Sequence, residues 1–426
     1  IEDVSTVNMP LDEAVSLLRG RPGTKVTIWV MRGGWSEPHK FVITRDTIRV
    51  RSVVSKLLPD RIGYLQIQDF GRHTAGDLLR HLMELKRKGR GLRGLILDLR
   101  NNAGGLMKAA VRVADLFLDN GIIVATVAYG EDSTPEQRVQ KMREEQRAKE
   151  DGSERDFPLV VLVNSGSASA SEILAGALKN LDRAILMGEQ TFGKGTVQIL
   201  NERVPASVYG ACLKLTVAEY LIPGDVSIQE VGVTPDIQLI PVILDKDGVQ
   251  AFARRDSFRE EDIPAHLTKH STAKLKPSEV VRYVYEEEKL EEGEEPPLQE
   301  PEFKEDFEIL LAKEYLLKIS NPKGSSMLDE GRALLREVQK REQQKIIKKM
   351  RELGVDWSAG SSKGAQGKIE FKLEGEGVDK QGRAQADKKV RLKLSVRNTG
   401  ENPYHQLRAE SESKYMLYDK REFIFG

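Results

Sequence analysis

The feature that most constrains the fold is a repeated switch between short aliphatic runs and amphipathic helical stretches. From Ile62 the chain reads "IGYLQIQDF", "TAGDLLRHLMELKRKG", "LRGLILDLR" and "GLMKAAVRVADLFLD". After "GIIVATVAYG" the alternation returns as "PLVVLVN", "ASEILAGALKN" and "RAILMG". Runs such as "LVVLV" lack the polar second residue of a half-exposed strand, so they predict strands buried on both faces. Strands of that kind joined by helices predict an α/β core with a mostly parallel sheet, expected over residues 51–245.

The full 426 residues exceed what one core holds, and two to four domains are expected. Residues 1–50 predict a helix over Leu11–Leu18 and two alternating strands, "GTKVTIWVMR" and "HKFVITRDTIRV". That is a thin core, read as the back half of a domain. Residues 131–156 form a charged insertion, expected as a solvated helix or mobile loop placed to act as a lid. Residues 246–305, with the acidic and proline-rich "EEEKLEEGEEPPLQEPE", read as a linker region. Residues 306–360 read as a helical segment, "SAGSSKGAQG" as a flexible joint, and 366–426 as a small β-sandwich.

Composition narrows the function classes. Lys+Arg and Asp+Glu both number 66, so no net charge drives broad attraction to nucleic acid or membrane surfaces. A single cysteine, Cys212, rules out an intramolecular disulfide and a cysteine-rich metal site. Apolar runs are far shorter than a membrane span. The chain begins at Ile1 and is read as cut from a longer one, so the lack of a leader argues for no compartment. His266 and His270 have metal-compatible spacing without a carboxylate partner pattern and read as a surface pair.

The stretch "GEQTFGKGT", Gly188 to Thr196, fits the opening of a phosphate-binding loop. That chemistry needs Ser or Thr after the lysine and a helix starting there. Here Gly195 follows Lys194, and "TVQIL" is β-branched and alternating, which predicts a strand. Lys194 therefore needs another role. In "VLVNSGSASASEILAGALKN" a buried strand ends at Asn164 and a helix starts near Ser169 and Ala170, placing Ser169 at the carboxyl edge of the sheet. The helix runs back beneath the sheet and "RAILMG" returns as a parallel strand, so the chain reaches "TFGK" on the edge it left at Ser169.

Apolar walls such as Phe192 disfavour an ammonium, and a neutral Lys194 amine can take the Ser169 hydroxyl proton, the Ser-Lys form of nucleophilic catalysis. Gln198, four residues on along an extended segment, lies on the same face and can orient that amine. "LDLRNNAGGLMKAA" ends another buried strand, and the N–H groups of Gly105 and Ala170 form a candidate oxyanion pair. The same residues also fit a helix-capping turn, a packing glycine turn and a surface lysine. None of the six histidines sits in a pattern that supports a Ser-His-Asp site.

Taken in order, "IGYLQIQDF", "LILDLRNNAGGL", "VNSGSASASEILAGAL", "GEQTFGKGTVQ" and "SIQEVGVTPDI" resemble the C-terminal processing (tail-specific) protease family over residues 1–242. The resemblance implies a crotonase-like α/β serine peptidase core that cleaves proteins near their C-termini through an acyl-enzyme. It implies Ser169 as nucleophile, Lys194 as general base, Gln198 as its orienting partner, and Gly105 and Ala170 as oxyanion donors. No metal, nucleotide or other cofactor is implied. Partners would be protein substrates with exposed or unfolded C-terminal tails, in the periplasm or otherwise outside the cytoplasm. Residues 1–50 are similar to the latter part of the family's PDZ domain. Asn180 departs from the pattern, since some members carry an acid there. Residues beyond about 245 lie outside the common core and are left for self-association or an adaptor role. The alternative is a non-catalytic scaffold that keeps the fold and binds peptides or proteins.

Overall fold

The computed structural model describes residues 1–2, 4–7, 9–32, 35–46, 51–128, 143–149, 154–201, 213–244, 249–250, 259–263, 276–285, 303–352, 367–374, 391–398, 407–409 and 423–425. The chain divides into two compact units, Ile1–Arg51 and Ser52–Gly426. In the first, helix α1 (Leu11–Leu18) is followed by an antiparallel pair, β1 (Lys25–Val30) and β2 (His39–Thr44). Arg45 ties the helix end to the hairpin, since its guanidinium donates to the carbonyls of Leu17 at 3.0 Å, Leu18 at 2.7 Å and Lys25 at 2.9 Å. A cation on the last carbonyls satisfies acceptors that the helix cannot.

The second unit is α/β. Its elements run β3 (Val53–Leu58), β4 (Ile62–Ile67), α2 (Thr74–Gly89), β5 (Gly94–Asp98), α3 (Met107–Asp115), β6 (Ile122–Ala128), β7 (Arg143–Arg147) and β8 (Leu159–Val163). Then follow α4 (Ala170–Asn180), β9 (Ile185–Gly188), β10 (Thr196–Asn201), β11 (Leu213–Ile222), β12 (Val226–Ser227), β13 (Ile237–Leu244), β14 (Val249–Gln250) and β15 (Glu279–Tyr285). Two long C-terminal helices, α5 (Phe307–Leu316) and α6 (Gly324–Glu352), complete it. The central mixed sheet has the order β14-β13-β9-β8-β5-β4-β3, with β15 also on β13. Pairs from β4 through β5, β8 and β9 to β13 and β15 are parallel, while β3 and β14 join antiparallel. Strands β10, β11, β6 and β7, with β12 on β11, form a separate antiparallel sheet.

Why the central strands are aliphatic throughout is visible in their packing. Leu95 and Leu97 of β5, with Leu159, Val161 and Val163 of β8, pack on one face against α2, α3 and α4 through Leu82, Val113 and Ile173. The intervening Ile96, Val160 and Leu162 face the other way, into Ile309, Ala312 and Leu316 of α5 and Leu335 and Val338 of α6. Period-two geometry sends neighbours to opposite faces, so a sheet covered twice selects apolar residues at every position.

That second cover comes from residues the sequence separates from the core. Helices α5 and α6, in the stretch read as a stand-alone helical segment, bury the face that α2–α4 leave bare. Within the stretch read as linker, "EVVRYVY" forms β15, in register with β13 from Ile237↔Glu279 to Ile243↔Tyr285. Its β-branched and aromatic residues suit a strand, and β13 offers it an open ladder. In the charged insertion, Arg143–Arg147 forms β7 on β6, not a helix. Residues 129–142 and 150–153, the acidic 286–302 and the joint before Gly367 lie outside the described residues, as do Cys212, His266, His270 and His405. Of the expected β-sandwich, two antiparallel pairs are described: β16 (Gly367–Glu374) with β17 (Arg391–Asn398), and β18 (Leu407–Ala409) with β19 (Phe423–Phe425). Among the described residues no helix is long and apolar enough to cross a membrane.

Helices α5 and α6 approach closely where Gly331 meets Tyr315. A Cβ on Gly331 would collide with Cε2 of that buried ring, whose hydroxyl donates to the Met327 carbonyl at 2.6 Å. Glycine to alanine inside a helix ordinarily stabilises by about 1 kcal/mol. Here Gly331→Ala is expected to destabilise by about 1–3 kcal/mol through overpacking. Urea unfolding measures it, and an unchanged or higher midpoint would contradict this packing.

Candidate active site

Three chain segments converge at the carboxyl ends of adjacent parallel strands. The first, "LRNNAGG", leaves β5; the second, "NSGSASA", leaves β8; the third, "EQTFGKG", leaves β9. Open α/β sheets place ligands at such edges.

The first two segments are stitched residue by residue. Asn164 Oδ1 accepts the N–H of Asn101 at 2.9 Å and of Gly166 at 3.0 Å, while its Nδ2 donates to Asn101 Oδ1 at 2.9 Å. The buried Asn102 side chain donates to the Ile67 carbonyl at 2.7 Å and accepts Gly104 N–H at 2.9 Å. Its carbonyl accepts Ala168 N–H at 3.0 Å and the Ser171 hydroxyl at 2.8 Å. Gly104, at φ +105°, lies where only glycine fits: a Cβ there would sit 2.7 Å from the Ala168 carbonyl oxygen, 2.9 Å from Ser169 Cβ and 3.0 Å from Ala170 N. The glycine turn is thereby pressed against the start of α4.

Ser169 immediately precedes that helix, half-buried, with φ 55° and ψ −111°. A non-glycine residue in that region carries backbone strain, which persists only where its surroundings fix it. Its fixture is Glu172. This fully buried carboxylate accepts Ser169 N–H at 2.8 Å and Lys194 N–H at 2.9 Å on Oε2. On Oε1 it accepts the Thr191 hydroxyl at 2.6 Å and Gly193 N–H at 2.7 Å. One oxygen atom thus holds the main chain of both Ser169 and Lys194. Burial pushes the Glu172 carboxyl above its usual range, and the Thr191 hydroxyl with the amides of Gly193, Ser169 and Lys194 pulls it back.

The structure thus unites four of the five candidate residues in one region and holds the fifth on its own strand. Ser169 and Lys194 are joined at their backbones, and the half-buried Lys194 amine has no hydrogen-bond or ion-pair partner among the described residues. Of the amides from Ser167 to Glu172, that of Ala170 alone has no partner among the described residues, and Gly105 N–H across from it is likewise unpartnered. Gln198 is exposed on β10, where its Nε2 reaches Thr216 Oγ1 at 3.4 Å. Lys194 lies in the loop before β10, which starts at Thr196, so the period-two count that put Gln198 on its face spans backbone outside the strand. Asn180, at the end of α4, donates to the Pro223 carbonyl at 2.8 Å.

The phosphate-loop look-alike resolves in the same geometry. Strand β10 starts at Thr196, where a phosphate loop needs a helix. Gly193, at φ +99°, is a close-approach residue whose Cβ would lie 2.8 Å from the Glu230 carbonyl carbon. Glu172 is the residue that sequence reading missed. Its signal was present as Ser169-x-x-Glu172, the S-x-x-E pattern of a helix start.

Residues 61–239, which contain all five candidates, match the family model described as peptidase family S41. This region belongs to peptidase family S41. The chain is similar to the carboxy-terminal-processing protease of Bartonella bacilliformis, 41% identical over 231 residues, covering 53% of this chain and 50% of that protein. The carboxyl-terminal-processing protease of Synechocystis sp. is 39% identical over 240 residues, 55% of this chain and 52% of its own. The carboxy-terminal processing protease CtpA of Bacillus subtilis is 39% identical over 234 residues, 55% of this chain and 47% of its own. The chain spans about half the length of the curated relatives it matches.

Glu172→Gln tests the clamp. An amide offers one oxygen to four donors, and each buried N–H left without an acceptor costs about 1–3 kcal/mol. The variant is expected to unfold at distinctly lower urea concentration. Parental stability would show that the carboxylate does not hold these loops.

Proposed function

We propose that the S41 region is a serine endopeptidase that cuts protein substrates near their C-termini with a Ser169–Lys194 dyad. The observation that carries this reading is the shared Glu172 oxygen, which holds the main chain of Ser169 and Lys194 beside the unpartnered amides of Gly105 and Ala170.

The chemistry follows from those positions. As Ser169 Oγ bonds to the scissile carbonyl carbon, its proton passes to a neutral Lys194 Nζ. The negative charge that develops on the carbonyl oxygen is met by the N–H groups of Gly105 and Ala170, with the positive end of the α4 dipole behind them. Collapse breaks the C–N bond, the lysine proton leaves on the amine, and an ester joins Ser169 to the substrate's acyl part. Water then attacks that ester, gives its proton to Lys194, and the serine hydroxyl is restored. In this scheme Gln198 orients the lysine once substrate binds, which requires it to leave Thr216. The resemblance of residues 1–50 to part of a PDZ domain supports docking of substrate tails there, and the family resemblance supports work outside the cytoplasm.

The test uses a substrate protein with an unfolded C-terminal tail. Ser169→Ala and Lys194→Ala are each expected to lower kcat by about 10³-fold or more. Parental cleavage by either variant rejects the dyad. A parent chain that binds the tail and never cuts it selects the scaffold reading.

A further inference from the structure

We infer that Asp306 and Glu308, outside the S41 match, are positioning residues that hold the Gly104–Gly105 turn in place through Arg100. The inference rests on the peptidase reading above for its effect on rate, and on geometry alone for its effect on the turn.

Arg100 opens the turn that leaves β5, and its guanidinium is gripped from two sides. Its Nε and Nη2 donate to Asp98 at 3.0 and 2.7 Å, while Nη1 donates to Asp306 Oδ2 at 2.8 Å and Glu308 Oε2 at 2.7 Å. Each carboxylate is tied elsewhere as well. Tyr64 of β4 donates to Asp98 Oδ2 at 2.8 Å, and Tyr283 of β15 donates to Glu308 Oε1 at 3.0 Å. Asp306 Oδ1 accepts Ile309 N–H at 2.9 Å, capping α5. At the opposite end of that helix Arg93 Nη2 donates to the Leu317 carbonyl at 2.6 Å. Two arginines flanking β5 therefore fix both ends of α5.

Burial penalises the Arg100 charge, but the Asp98, Glu308 and Asp306 carboxylates outweigh it and hold the guanidinium charged. Networks of this sort add little net stability compared with apolar packing, and their best-attested use is to select one arrangement. The apolar contacts of α5 can hold the helix on the sheet without specifying where Arg100 sits. The carboxylates do specify it. The next residue, Asn101, stands at φ 58° with its N–H on Asn164, and Asn102 then holds Gly104. Slack at Arg100 is transmitted through Asn101 and Asn102 to Gly104 and the candidate oxyanion donor at Gly105.

The experiment compares the full chain with an Asp306→Asn/Glu308→Gln double variant, in which asparagine preserves the helix cap. Hydrogen exchange is followed in peptides spanning 99–107 and 307–316, alongside kcat, KM and thermal unfolding. Exchange in 99–107 is expected to quicken while 307–316 stays protected, with a lower unfolding temperature because the buried Arg100 charge keeps only Asp98 as its carboxylate. kcat is expected to fall about ten-fold with KM little changed, within what small misplacement of catalytic groups costs. Parental exchange in 99–107, or loss of protection in 307–316, overturns the inference. So does an unchanged kcat in an active chain. A parent chain that cuts nothing sinks the peptidase reading instead, and exchange alone then decides whether the network holds the turn.

Discussion

The candidate site depends on one buried carboxylate. Glu172 accepts four donors from three places: the strained residue before α4, the Thr191 hydroxyl, and two successive amides of the glycine loop after β9. A carboxylate is the one side chain with two oxygens and no donor, so it alone can gather such a set without leaving an N–H opposed to another. Desolvation makes its presence costly, and the four hydrogen bonds offset that cost only while both loops remain in place. The result is mutual dependence: Ser169 keeps its unusual backbone because the Lys194 loop is docked, and the loop is docked because the carboxylate is held at the helix start.

Glycine spacing around this centre records contact between main chains. Gly104 lets one turn press on the start of α4, and Gly193 lets the lysine loop press on the segment near Glu230. A phosphate loop also requires bare backbone, for a different purpose, which explains why a nine-residue stretch can imitate its pattern without its chemistry.

Much of this was legible in the sequence because it is local. The doubly buried strands announced themselves in "GLILDL" and "LVVLV", and the small-residue turn before α4 marked where the sheet edge would lie. What stayed hidden is non-local or main-chain in origin. Three of the four donors to Glu172 are backbone amides, which leave no side-chain signature, so nothing but its S-x-x-E spacing marked it in the sequence. Gln198 was assigned by counting alternate residues from Lys194, and that count starts in a glycine loop, ahead of the strand that begins at Thr196. Strand β15 sits beside an acidic stretch whose composition dominated its neighbourhood, although "EVVRYVY" is strand-like when read alone. The role of α5 and α6 followed from a fact invisible in sequence, that α2, α3 and α4 all settle on one side of the sheet.

That one-sided settlement sets where the chain can be divided. The S41 match ends at residue 239, and a fragment trimmed there would retain every candidate residue of the site. It would also present Ile96, Val160, Leu162, Ile185 and Met187 to water as a continuous oily floor. The evolutionary module and the physical folding unit are therefore different lengths, and recombinant pieces of this protein must be drawn to include the closing helices if they are to remain monodisperse.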